Sequence, residues 1–176
     1  MKITVALLFL AAIFQTISGQ VSTQARAEQM HFSAEDETVK RPVVLPDQAL
    51  EVIEKDPDVA EVLKNENPPL RKIPRSWLMA SEIHLDGPDE KDIVVVAAGH
   101  LMGANVTTFW ILRPTDHGFA VLLTAPAHDL YIKGTRSNGY RDIEMAAATA
   151  VRVSTVTFRF DGNRYTKYRQ HSEDIR

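Results

Sequence analysis

The chain has 176 residues, with 20 Lys and Arg against 23 Asp and Glu, 44% hydrophobic residues, 8 Gly, 9 Pro and no Cys. That composition excludes collagenous, low-complexity and disulfide-stapled architectures, and thiol catalysis with them. It carries enough apolar surface for one globular domain, because burying that surface offsets the entropy of ordering the chain.

Met1-Lys2 is followed by an apolar run from Ile3 to Phe14, interrupted only by Thr4, and then by a polar stretch ending Ala25-Arg26-Ala27. One positive charge, an apolar core of about a dozen residues and small residues around the cut predict a secretory signal peptide over residues 1–27. Cleavage after Gly19 is the alternative to cleavage after Ala27. The run is shorter than the ~20 apolar residues of a membrane-spanning helix. No cysteine follows it, so a lipoprotein anchor is excluded, and the mature form is expected in the periplasm or outside the cell without a membrane anchor. That form would carry 18 basic and 23 acidic side chains, a net charge of −5. Such a balance gives no general attraction to nucleic acid or anionic lipid.

From Glu28 to Lys40 the chain is polar and acid-rich, with Glu35-Asp36-Glu37 in its middle, which predicts a flexible leader over residues 28–45. One β-rich domain is expected over residues 46–172. Pro46-Asp47 precedes Ala49, Leu50, Val52 and Ile53, and Asp56-Pro57-Asp58 precedes Val59, Ala60, Val62 and Leu63, so each group reads as a short amphipathic helix opened by a start signal. Both are read as a lid on a sheet edge or face.

Past Pro74 the apolar spacing changes to two, in Val- and Thr-rich runs punctuated by Gly, Asp, Asn and Pro. Strands are predicted at about Trp77–Leu85, Asp92–Ala98, Val106–Arg113, Phe119–Thr124, Leu130–Gly134, Asp142–Ala150, Val151–Phe160 and Arg164–Arg169. The fold class is therefore mainly β, α+β at the margin: an antiparallel twisted sheet or sandwich of about seven or eight strands with two short N-terminal helices. From Val106 to Arg113 both alternating sets are apolar, Trp110 and Leu112 on one face and Phe109 and Ile111 on the other, which predicts a central strand covered on both sides. Asn138-Gly139 and Asp161-Gly162 supply the positive-φ residues of tight primed hairpin turns. No helix-length pattern separates these strands, so parallel βαβ architectures are excluded.

Charge is uneven. Residues 28–92 hold 16 acids and 8 bases, whereas residues 131–176 hold 9 bases and 5 acids. Either the two segments attract each other within one domain, or Arg159, Arg164, Lys167 and Arg169 form a basic docking surface.

The stretch Glu82-Ile83-His84-Leu85-Asp86-Gly87-Pro88-Asp89-Glu90-Lys91-Asp92-Ile93-Val94-Val95-Val96 resembles the FG-GAP/VCBS-like secreted β modules, in which an acidic loop with a bending glycine precedes a Val-rich strand. The resemblance implies a calcium loop with Asp86, Asp89 and Asp92 as ligands, since alternate acids aim their oxygens at a common centre. His84 and two added residues between Gly87 and Asp92 depart from that pattern and favour a hydrated acidic turn. More widely, residues 76–169 resemble small exported bacterial β-rich proteins of unknown function. The resemblance rests on the Val-rich strand, Phe109-Trp110-Ile111, Gly118 to Leu123, Asn138-Gly139-Tyr140-Arg141-Asp142-Ile143 and Phe160-Asp161-Gly162-Asn163-Arg164-Tyr165.

Histidines 31, 84, 100, 117, 128 and 171 show no local zinc spacing, the serines lack a Gly-x-Ser-x-Gly elbow, and no Gly-rich phosphate loop occurs. Three readings remain. The first is an exported non-catalytic binding module for a protein or glycan, using Arg136, Asn138, Tyr140, Arg141, Arg164 and Tyr165, where tyrosine and arginine adjoin turns. The second is an inhibitor or immunity-type protein that inserts the loop Arg136 to Arg141 into a secreted hydrolase. The third is a metal-dependent hydrolase built from His84, Asp86, Asp92, His100 and His128. No catalytic residue is assigned, and the oligomeric state is left open.

Overall fold

Period-two runs pair with their neighbours in sequence, and the result is two antiparallel sheets. A computed structural model describes residues 28–175, so the expected signal peptide lies outside the described residues. In chain order the elements are β1 (His31–Ser33), α1 (Asp47–Ile53), α2 (Pro57–Asn65), β2 (Leu78–Ile83), β3 (Asp92–Ala97), β4 (Thr107–Thr115), β5 (Gly118–Ala127), β6 (Asp129–Ser137), β7 (Tyr140–Ala148), β8 (Arg152–Phe160) and β9 (Tyr165–Asp174). One sheet has the order β2-β3-β4-β5 and the other β1-β6-β7-β8-β9. The mainly β class and the two short helices are as expected, with nine strands among the described residues in place of seven or eight.

The architecture has three layers, with the four-stranded sheet in the middle. Val94, Val96, Phe109 and Ile111 point toward the five-stranded sheet and pack with Phe32, Leu130, Ile132, Ile143, Met145 and Phe160. Ile93, Val95, Trp110 and Leu112 point the other way and pack with Ala49, Leu50, Ile53, Val59 and Leu63 of the helices. β3 is buried along its whole length, and β4 carries the doubly apolar alternation expected of a central strand. α2 is capped by Asp56, whose Oδ1 accepts the Asp58 N–H at 3.1 Å.

Between β5 and β6 only His128 intervenes, so the chain passes from one sheet to the other through a corner rather than a loop. The corner is fixed at both backbone groups: the His128 N–H donates to the Ala146 carbonyl at 2.8 Å, and its carbonyl accepts from Ala34 N–H at 2.7 Å.

The expected leader is corrected. Within residues 28–45, β1 pairs with β6, Phe32 is fully buried between the sheets, and Gln29 is buried with its Oε1 accepting the Lys40 N–H at 2.7 Å. Three residues are too few to show an alternation, and the strand is held by one aromatic anchor in an otherwise polar stretch. Residues 41–43 then lie along the outer edge of β2.

Of the two predicted turns, Asn138-Gly139 has φ of 48° and 86°, as a primed turn requires. At the second, Phe160 pairs with Tyr165 and only Gly162 is left-handed, with φ 111°. The turn is wider than expected because the Asp161 carboxylate accepts the Asn163 and Arg164 N–H groups, an Asx arrangement that competes with the two-residue turn.

Candidate functional site

The β2–β3 loop and the β6–β7 hairpin meet at one end of the sandwich. Arg113 of β4 lies beside the first residue of β3, and this cross-strand placement builds the polar centre of the junction. Its Nε and Nη2 donate to the two oxygens of Asp92 at 2.9 and 3.0 Å, and Nη2 is 3.3 Å from Asp86 Oδ2. Asp92 is fully buried. Burial pushes its carboxyl above the ordinary value, against the pull of the Arg113 N–H groups. The guanidinium lies over the Tyr140 ring at 4.4 Å, Tyr140 stacks on Phe160 at 3.8 Å, and Phe160 meets Tyr165 edge-on at 5.6 Å. The Tyr165 hydroxyl donates to the Arg141 carbonyl at 2.7 Å, and burial drives its pKa far upward.

This geometry decides what the expected metal loop can do. Asp86 and Asp92 do converge, but on the guanidinium of Arg113, which sits where a cation would. Asp89 is exposed in the loop. Among the described residues no three His, Cys, Asp or Glu side chains gather as a metal site. The histidines named for a hydrolase have separate partners: His84 neighbours Arg41 and Glu28, His100 takes Glu66 at 2.7 Å and packs on Trp77, and His128 takes Asp129 at 2.9 Å.

The six residues read as a binding surface divide. Asn138 donates to the Phe160 carbonyl at 2.8 Å, and with Tyr140 and Tyr165 it stitches the hairpins together. Arg164 is exposed at the β8–β9 turn, beside a groove that it lines with Tyr165. Arg136 and Arg141 share a cavity of about 230 Å³ with Glu28, His84, Gly87 and Pro88. Arg136 Nη1 donates to the carbonyls of Leu85, Asp86 and Gly139 at 2.8, 3.2 and 2.7 Å, which ties the β2–β3 loop to the β6–β7 turn. The Arg141 main-chain N–H donates to the Leu85 carbonyl at 2.9 Å, and its Nη1 lies 3.6 Å from Met30 Sδ. Arg141 Nε is buried without a hydrogen-bond partner among the described residues. Neither guanidinium is ion-paired among those residues, whereas the Glu28 carboxylate already accepts the His84 N–H at 2.5 Å.

Sequence reasoning found Arg136 and Arg141 but missed His84 and Glu28 as walls of the same cavity. Glu28 carries no local signal, because only the pairing of β1 with β6 brings its segment to this end of the molecule.

The fold and site define a helix-covered antiparallel sandwich with a cationic cavity at one end. No protein family, curated protein or solved structure matches the chain.

Proposed function

We propose that this protein is an exported, non-catalytic binding module that takes an oxyanion group of its ligand, a carboxylate or a phosphate, into the cavity between Arg136, Arg141 and His84. The observation that carries this reading is a cavity lined by Arg136 and Arg141, neither ion-paired among the described residues, with the partnerless Nε of Arg141 buried beside it and Glu28 already engaged by His84. A buried donor left unmade costs about 1–3 kcal/mol, and a planar guanidinium is suited to two parallel bonds to an oxyanion. The cavity accepts a terminal group rather than a whole polymer, since drug-sized sites run from about 300 Å³ upward. The pinning of Arg136 by three carbonyls favours a rigid cavity over a loop inserted into another enzyme.

Titration of the isotope-labelled protein with inorganic phosphate and with acetate tests this reading. Saturable shifts of the Leu85, Gly87 and Arg141 amides are expected with at least one of them, and R141M should abolish those shifts while leaving the fold intact. No saturable shift with either anion, or shifts that R141M leaves in place, would refute it.

A further inference from the structure

Among the described residues the two sheets have four edges, and three of them are short, covered or interrupted by proline. β1 is three residues long, β2 is covered by residues 41–43, and β5 carries Pro126. β9 differs from all three. It runs ten residues from Tyr165 to Asp174 without Pro or Gly, and every residue after Tyr165 is exposed. An edge of this kind presents a row of backbone donors and acceptors to any extended chain.

Apolar exposure concentrates at the same place. Val151, Val153, Tyr168 and Ile175 are four of the seven exposed large hydrophobic residues among those described, and all lie on or beside the β8–β9 hairpin. Val153 and Ile175 line an open groove with Ser172, Glu173 and Asp174, and the Ile175 N–H donates to the Val151 carbonyl at 2.8 Å.

The charge order along β9 selects the occupant. Lys167 and Arg169 stand in its first half, and Glu173 and Asp174 in its second. An antiparallel copy of the same strand reverses that order and sets basic half against acidic half. A register shift leaves Tyr168 opposite no residue of β8, so the regular stretch is Arg169–Asp174. Arg169, His171 and Glu173 alternate onto one face of it. With a two-fold axis at His171, Arg169 of each chain lies directly opposite Glu173 of the other, and opposite charges in that position attract.

We infer that a second copy of this chain docks antiparallel along β9, joining two five-stranded sheets into one continuous sheet of ten strands. The interface is isologous. It contains the Arg169–Glu173 pair twice.

Sedimentation velocity on the full chain tests the inference through a charge swap. The wild type should associate reversibly into a dimer. R169E sets acid against Glu173 and E173R sets base against Arg169, so each variant alone should weaken association by about tenfold or more. An equimolar mixture of the two should recover the dimer, because each new charge then meets its opposite in the other chain. Both positions are exposed, and circular dichroism should show unchanged folding. A wild type that stays monomeric to millimolar concentration, single variants that dimerise as well as wild type, or a mixture that fails to recover association would each overturn the inference.

Discussion

Trp110 donates its indole N–H to Asp56 Oδ2 at 3.1 Å, while Oδ1 of the same carboxylate caps α2. One side chain thus starts the helix and docks it on the central strand, since Trp110 is buried on the helix-facing side of β4. Replacing Asp56 with Ala removes the cap, about 1 kcal/mol, and strands a buried indole donor, about 1–3 kcal/mol. D56A should therefore lower unfolding stability by about 2–4 kcal/mol in urea titration, and D56N, whose single amide oxygen can keep one of the two bonds, by less. Equal losses in the two variants would show that the one acceptor left by Asn contributes nothing.

The Asp92–Arg113 pair makes a different prediction, because its main role is to avoid an uncompensated charge rather than to add attraction. R113M leaves the fully buried Asp92 without its donors and should cost about 3–5 kcal/mol. Adding D92L to R113M should recover a large part of that loss, since an apolar pair carries no desolvation penalty. A double variant as unstable as R113M alone would mean that packing on Tyr140, not charge burial, sets the cost.

Phe32 tests whether β1 belongs to the fold energetically as well as geometrically. The ring is fully buried between the sheets, so F32A should destabilise by about 3–5 kcal/mol. A change within a few tenths of a kcal/mol would show that residues 28–33 can detach without loss.

The attachment of β1 to β6 should also depend on pH. Asp129 accepts from His31 at 2.8 Å and pairs with His128 at 2.9 Å. The bond to Asp129 raises the His128 pKa above its ordinary 6.5. Burial opposes ionisation of Asp129, but hydrogen bonds from His128, His31 and Ser33 outweigh it and hold its carboxyl below the ordinary 3.8. The raised histidine contributes stability fully below about pH 6.5, and this fades as pH rises through its folded value. The lowered carboxyl contributes above about pH 4 and fades as pH falls through its folded value. Amides that bridge β1 to the rest, Ala34 and Ile132, should be best protected from hydrogen exchange between those limits once intrinsic rates are corrected. H128Q should remove the decline on the alkaline side; its persistence in that variant would place the titrating group elsewhere.

The middle layer was legible in the residues themselves, because two interleaved apolar sets at Phe109 to Leu112 demand cover on both faces. The helix starts were equally plain at Pro46-Asp47 and Asp56-Pro57. β1 was not, since one buried phenylalanine in a polar segment has no period. The acidic loop was legible as a convergence of Asp86 and Asp92, but its centre was not. Arg113 reaches it through cross-strand register, which no local pattern encodes. The same holds for the cavity: Arg136 and Arg141 were visible beside a turn, whereas His84 and Glu28 join them only through tertiary pairing.

The single-residue corner at His128 has a mechanical consequence. With both its backbone groups bonded and no slack on either side, tension on one sheet passes directly into the other, and neither can melt while its neighbour keeps its register. Heating should therefore dismantle the sandwich in one cooperative step, with inner and outer strands losing their order at the same temperature.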